Sequence, residues 1–320
     1  MKSLKVLLLG ACVALCACSS PTSTVQTNDK GTQWQWENGT IVVETPQRPA
    51  DRKSVIGLAL PKMEVVRVGF VGLGMRGPGA VERFTHIPGT QIVALCDYEQ
   101  GRAEACQKYL KQASLPKAAV YSGEKGYEEL CKRDDIDLVY IATDWLHHFP
   151  VAMCAMENGK NVAIEVPSAM NLKECWALVD MSEKTRKHCM MLENCVYDFF
   201  ELTTLNMAQH GLFGDILHVE GSYIHNLEEF WAAYQGNWRL DFNEKYRGDV
   251  YATHGMGPAC QLLDIHRGNK MNYLVSMDTK ALTGPKLVEK INKRDGKDFQ
   301  NGDHTMTMIM TENGQTMHIQ

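Results

Sequence analysis

Apolar and polar positions divide the chain into stretches of different texture. From residue 65 onward, short β-branched or continuous apolar runs alternate with stretches whose apolar residues recur at helical spacing. Residues 65–71, 91–96, 136–142, 161–165 and 190–193 read as strands, with 118–121 as a shorter one. Helices are predicted over 78–84, 102–112, 151–158 and 171–187. Asn171 is a suitable N-cap, and Glu174 completes a capping box three residues later. Nearly continuous apolar runs mark strands buried on both faces, so the alternation predicts a parallel α/β sheet.

The texture shifts after Asn194. A helix over 199–209 stops before Gly211, a good residue for closing a helix. Residues 216–224 alternate like a half-exposed strand. Residues 225–270 are rich in aromatics and glycine, with a helical stretch near 258–265. Residues 304–311 and 316–320 flank Asn313-Gly314 and read as a β-hairpin. This predicts an α+β domain on an open, mostly antiparallel sheet. The chain stops inside that hairpin strand, which would leave a sheet edge unprotected. The C-terminal domain is therefore expected to be incomplete at Gln320.

The first residues differ from all of this. Lys2 and Lys5 precede a wholly or nearly apolar run over 6–15, too short to span a bilayer stably, which reads as a signal peptide. Leu15-Cys16-Ala17-Cys18, followed by Ser19, Ser20 and Pro21, resembles a bacterial lipobox. Cys18 is then the lipidated (palmitate-bearing) N-terminus of an envelope lipoprotein, anchored to a membrane. The expected organisation is a lipoprotein signal over 1–18, a tether and irregular lead-in over 19–60, a dinucleotide-binding domain over 61–194 and a substrate domain over 195–320.

Charge is nearly balanced, 33 basic against 38 acidic residues, and no basic block stands out. Nucleic acid is therefore not an expected partner. Three of the 11 cysteines lie in the leader. None of the rest forms a Cys-x-x-Cys pair, so they are expected as buried thiols rather than a disulfide framework. No metal is implied, because the histidines are scattered and lack ligand spacing.

Gly72-Leu73-Gly74-Met75-Arg76-Gly77 fits G-x-G-x-x-G between a predicted strand and a predicted helix, and Asp97 follows at the end of the second strand. Gly72 allows the tight turn, Gly74 lets the backbone approach a pyrophosphate, and Gly77 lets helix pack on strand. The helix N-terminus faces the negative charge. Asp97 would accept hydrogen bonds from ribose hydroxyls and repel a 2′-phosphate, which selects NAD over NADP. Ligands of open parallel sheets sit at the carboxyl ends of strands. Those ends carry Trp145, Leu146, His147 and His148, then Glu165-Val166-Pro167, then Asn194.

With these motifs in place the chain resembles the glucose–fructose oxidoreductase and inositol dehydrogenase superfamily. Its members usually carry Glu-Lys-Pro where this chain has Glu165-Val166-Pro167, and Val166 cannot act as the lysine does. The Gly-Met-Arg-Gly turn, Ala163-Ile164-Glu165-Val166-Pro167, Leu192-Glu193-Asn194, Gly211-Leu212-Phe213-Gly214 and Thr253-His254-Gly255-Met256-Gly257-Pro258 together resemble glycoside hydrolase family 109. That resemblance implies an NAD-dependent α-N-acetylgalactosaminidase acting on a glycan or glycoconjugate. It places Met75, Arg76, Asp97, Trp145 to His148, Glu165, Val166 and Asn194 on NAD. It places Tyr223, Arg239 and Tyr251 on the sugar, with His254 as the acid/base residue beside the reacting carbons and Tyr251 also catalytic. Open-sheet domains of the superfamily commonly pair face to face, which implies a homo-oligomer.

The implied route needs no pair of carboxylates flanking the scissile bond. The sugar is oxidised at C3, the C2 proton is lost, the C1 substituent is eliminated, water adds, and C3 is reduced again, with retention. Such a cycle suits an exported enzyme, because it consumes no NAD. Two other readings compete: a secreted NAD-dependent sugar oxidoreductase, and a passive sugar-binding lipoprotein.

Overall fold

The computed structural model describes residues 25–28, 31–43, 45–228, 230, 238–293, 295–297 and 299–320. The leader and Cys18 lie outside the described residues. Among the described residues, no helix is long and apolar enough to cross a membrane.

Residues 1–49 form a unit of their own. Where the sequence suggests a tether and irregular lead-in, this unit carries a three-stranded antiparallel sheet: β1 (Gln26–Thr27), β2 (Gln33–Glu37) and β3 (Thr40–Val43). Asn38 and Gly39 both sit at positive φ, 50° and 81°. That is the two-residue hairpin turn an Asn-Gly pair favours, and Trp36 pairs with Ile41 across it.

The second unit opens with a six-stranded parallel sheet in the order β6-β5-β4-β7-β8-β9. Its strands are β4 (Val66–Val71), β5 (Thr90–Asp97), β6 (Ala119–Ser122), β7 (Leu138–Ile141), β8 (Asn161–Ile164) and β9 (Cys189–Met191). Helices α1 (Gly77–Phe84), α2 (Gln100–Gln112), α3 (Gly126–Cys131), α4 (Trp145–Glu157) and α5 (Leu172–Thr185) connect them. One apolar cluster, around Val139, Ile141, Val151 and Ile164, packs on one face. A second, around Val68, Phe70, Leu95 and Leu110, packs on the other. Two buried faces explain why the strands read as continuous apolar runs. The strand order reverses between β4 and β7, and ligands of such sheets bind at that point.

Asn171 caps α5 as expected, accepting from the Glu174 N–H at 3.0 Å. Glu174 reaches back to the Met170 N–H at 2.8 Å, one residue before the cap. Helix α4 begins at Trp145, earlier than the pattern suggests. The Asp144 carboxylate caps it, accepting from the Leu146 and His147 N–H groups at 3.0 and 3.2 Å.

Arg67, on β4, clamps Asp137 just before β7. Nε and Nη2 donate to the two carboxylate oxygens at 2.9 and 2.7 Å, and the Arg67 N–H donates at 2.8 Å. The guanidinium holds the Asp137 carboxyl below the usual carboxylate range. A depressed folded-state pKa stabilises above the unfolded value and is lost as pH falls through the folded one. Asp137→Asn should therefore lower the urea midpoint by a constant amount down to about pH 5, with the gap closing below about pH 4. A gap independent of pH down to acid would show that the charge pairing contributes nothing.

After Asn194 the chain builds helix α6 (Phe199–Gln209), strand β10 (His218–Gly221), α7 (Trp238–Lys245), α8 (Ala252–Leu262), β11 (Met271–Asp278), α9 (Thr283–Leu287), β12 (Thr305–Thr311) and β13 (Thr316–Ile319). The sheet order is β10-β13-β12-β11. β11, β12 and β13 pair antiparallel, and β10 joins β13 in parallel. Helix α8 starts six residues before the expected 258. Gly255 explains the shift: a Cβ there would meet the Gly221 carbonyl at 2.8 Å. The two glycines let α8 lie directly on β10, and Ala259, Ile309, Met317 and Ile319 fill the space behind. Contact with the sheet thus sustains a helix whose Gly and Pro content argues against one.

Candidate active site

The glycines of the loop are not equivalent. Gly72 follows β4 at φ 92°, and a Cβ on it would meet the Thr143 nitrogen at 2.4 Å. A Cβ on Gly77 would meet the Gly72 carbonyl oxygen at 2.0 Å. Both glycines are demanded by the protein itself. Gly74 is not: a Cβ there would find only Arg102 Nη1, at 3.8 Å. The space above Gly74 lies at the N-terminal end of α1, where a pyrophosphate would be met by free backbone N–H groups. The loop therefore fits a dinucleotide.

Asp97, 6% exposed, does more than await a ribose. Its Oδ2 accepts from the Leu73 N–H at 2.6 Å, and its Oδ1 from the Glu99 N–H at 2.9 Å. It thereby fastens the glycine loop to the end of β5. Arg102 lies 3.7 Å from Asp97 and is paired with Glu99 at 2.9 Å.

A cavity of about 1570 Å³ runs from this loop to the C-terminal sheet. Of the residues expected at the site, it is lined by Gly72, Gly74, Met75, Arg76, Asp97, Trp145, His147, His148, Glu165, Val166, Asn194, Tyr223, Arg239, Tyr251 and His254. Gly77 and Leu146 lie off it: Gly77 is buried behind the loop, and Leu146 is 70% exposed on α4.

The two histidines of α4 differ. His147 is exposed, and its ring pairs with Asp144 at 2.7 Å. His148 is buried, with Nδ1 2.7 Å from the Pro167 carbonyl and Nε2 3.2 Å from the Thr143 carbonyl. Burial pushes its pKa down. A neutral ring holds one N–H, and the shorter contact assigns it to Nδ1. His148 thus ties two strand ends together at the cavity wall. Glu165 accepts from the Tyr140 hydroxyl at 2.6 Å and faces Arg76 Nε at 3.4 Å. Burial, then Glu165, raises the Tyr140 phenol above its ordinary range.

The residues expected to meet a sugar form an aromatic wall. Trp145 packs edge-on against Trp238, Phe242 and Tyr251. Tyr223 lies 4.3 Å from the His254 ring, and Tyr251 stacks on it at 5.5 Å. Arg239 covers the Trp238 face at 4.4 Å, donates to the Tyr251 hydroxyl at 3.2 Å, and reaches Met75 Sδ at 3.3 Å. It therefore touches both the glycine loop and the aromatic wall.

His254 rests on a residue that motif reading leaves without a role. Its Nδ1 lies 2.6 Å from Glu193 Oε1, and both side chains are 7% exposed. Burial pushes the Glu193 carboxyl up, but His254 and the Cys195 N–H outweigh this and hold it below its usual range. An ionised carboxylate can only accept, so this bond carries the imidazole proton on Nδ1. This is the base-plus-orienter logic of catalytic triads. Asp249 lines the same cavity, and burial raises its carboxyl despite the bond from the Tyr251 N–H.

Comparison with known proteins follows the same division. The family described as "Oxidoreductase family, NAD-binding Rossmann fold" matches residues 66–193, and NAD is the cofactor of this domain. "Glycosyl hydrolase 109, C-terminal domain" matches residues 197–320. Glycosyl hydrolase family 109 protein 4 of Phocaeicola vulgatus is 68% identical over 328 residues, covering 100% of this chain and 64% of that protein. Glycosyl hydrolase family 109 protein 1 of Bacteroides thetaiotaomicron is 62% identical over 318 residues, covering 99% of this chain and 67% of that protein. The chain thus spans about two thirds of the length of these relatives. Among solved structures, myo-inositol dehydrogenase from Lactobacillus casei in complex with NAD(H) and myo-inositol shares the fold. Its TM-score is 0.58 at 20% identity, over 80% of this chain and 66% of that one.

Proposed function

The chain belongs to glycosyl hydrolase family 109, and from that premise we propose that it is an NAD-dependent glycosidase that removes terminal α-N-acetylgalactosamine with retention. The observation that carries this reading is His254, a buried imidazole fixed by Glu193, on the same cavity as the glycine loop and Asp97. Val166 stands where the sugar oxidoreductases of the superfamily place their lysine, which weighs against simple sugar oxidation.

Gly72 to Arg76 and the N-terminus of α1 would hold the pyrophosphate of NAD, and Asp97 a ribose. When bound, NAD supplies reversible oxidation at C3 of the sugar, which acidifies the C2 proton. His254 Nε2 takes that proton, and the Glu193 carboxylate stabilises the imidazolium that results. Asp249, whose carboxyl is raised by burial, lines the same cavity. Arg239 and Tyr251 hold the polar groups of the sugar. The aromatic wall of Trp145, Tyr223 and Trp238 keeps water from the reacting carbons.

The test is an aryl α-N-acetylgalactosaminide offered to the NAD-loaded protein, beside a panel of free sugars. The expected result is release of the aryl alcohol with no net NADH. Oxidation of a free sugar with NADH formed mole for mole points to the secreted oxidoreductase instead. Sugar binding with neither reaction points to a passive binder.

Export and lipidation at Cys18 belong to the same reading, since an enzyme that restores its NAD each turn needs no fresh supply outside the cytoplasm. Palmitate label should enter the wild-type protein in cells and be absent from Cys18→Ser. Equal labelling of both would remove the anchor from the proposal.

A further inference from the structure

Glu193, Cys195 and His254 bring a carboxylate oxygen, a thiol sulfur and an imidazole nitrogen within 4.8 Å of one another. It is the one such group among the described residues. The short helical turn Asn194–Tyr197 delivers Cys195, and α8 delivers His254, so linear spacing gives no sign of the cluster. Glu193 is 6% exposed. Its Oε1 serves the His254 ring and the Cys195 N–H, but its Oε2 is buried without a hydrogen-bond partner. The Thr253 hydroxyl lies close enough to help draw the Glu193 carboxyl down, without a bond of normal geometry. A buried carboxylate oxygen left with only a poorly formed contact is costly, and a cation would satisfy it better.

The donor set names the cation. Thiolate and imidazole nitrogen with one carboxylate suit Zn²⁺, whereas Mg²⁺ and Ca²⁺ want oxygen alone. His254 also borders a second cavity of about 680 Å³, between α6, β10 and α8.

We propose that Glu193, Cys195 and His254 form a zinc site, and that Zn²⁺ bound there switches the enzyme off. Bonds form from zinc to the Glu193 carboxylate, the Cys195 sulfur and His254 Nδ1, with water as the fourth ligand. The Cys195 thiol gives its proton to solvent. The imidazole proton moves from Nδ1 to Nε2, and no electrons are transferred. Nε2 then carries a proton and cannot accept one. The inhibitory half of this proposal rests on the glycosidase reading; the binding half does not.

Zinc titrated calorimetrically into the NAD-loaded protein tests the binding half. The expected result is one equivalent bound, with about one proton released. Cys195→Ala should weaken it by at least about tenfold. Cd²⁺ should add an ultraviolet thiolate-to-metal band that Cys195→Ala lacks, and Mg²⁺ should not bind. No zinc binding, or the same affinity and band in Cys195→Ala, overturns the site. In the activity arm, Zn²⁺ should inhibit aryl glycoside cleavage. Measured against its own zinc-free rate, Cys195→Ala should tolerate at least about tenfold more zinc. Equal inhibition of both proteins overturns the switch. A protein that binds zinc through Cys195 yet cleaves no glycoside keeps the site and loses the glycosidase reading.

Discussion

Alanine at position 254 should lower kcat for aryl glycoside cleavage about 10³-fold while leaving NAD affinity within about twofold of wild type. Positioned proton transfer contributes roughly 10²–10⁴-fold to enzymatic rates, and among the described residues no other imidazole on this cavity is hydrogen-bonded to a buried carboxylate. His148 is tied to two carbonyls, and His147 is exposed and paired with Asp144. Glu193→Gln is the sharper companion. A carboxamide can turn its NH₂ toward Nδ1, which would drive the imidazole proton onto Nε2, the wrong nitrogen. Its rate should fall at least about tenfold, with the fold intact by thermal melting. If His254→Ala keeps more than about a tenth of wild-type kcat, the base lies elsewhere and the Glu193–His254 pair is structural.

That pair marks where sequence reading stops. The nucleotide half was legible because its signals are local: β-run, glycine turn, helix start and an acid at the next strand end all lie between residues 65 and 97. What was not legible is that Asp97 also fastens the loop through the Leu73 N–H. Glu193 sits at a carboxyl strand end, as Asn194 does, and the rule that singled out Asn194 applied equally to it. Its partner is 61 residues away on another element, so only the fold reveals the bond. Tyr140 is hidden for a similar reason. It reads as one more apolar strand residue, while its hydroxyl reaches Glu165 on the neighbouring strand end. The early start of α8 was unreadable because Gly255 and Pro258 argue against a helix locally, and the contact with Gly221 that overrides them is tertiary. The hairpin at Asn38-Gly39 is the opposite case, a local signal that the polar composition around it masked.

Two glycines of one loop should fail in different ways. Alanine at Gly77 places a Cβ 2.0 Å from the Gly72 carbonyl oxygen, 3.0 Å from its carbon and 3.2 Å from Leu73 Cδ2. The first two are backbone atoms, and Gly72 is itself wedged against Thr143, so no flexible side chain can yield. Helix α1 must shift away from the loop. Overpacking of this kind costs about 3 kcal/mol or more, which corresponds to a fall in Tm of roughly 6–12 °C for a domain of this size. NAD affinity should fall at least about 100-fold, because a shifted loop no longer presents its N–H groups to the pyrophosphate. Alanine at Gly74 meets only the tip of Arg102, at 3.8 Å, and needs no positive φ. Its Tm should stay within about 2 °C of wild type. NAD affinity should nevertheless fall at least about tenfold, because the new methyl occupies the space where pyrophosphate would approach the backbone. Calorimetric melting and NAD titration of the two variants give four numbers. If Gly74→Ala binds NAD as wild type does, the pyrophosphate does not cross this loop, and the place assigned to the cofactor is wrong. If Gly77→Ala melts as wild type does, α1 can leave the sheet at no cost, and the contact between Gly72 and Gly77 does not set the loop.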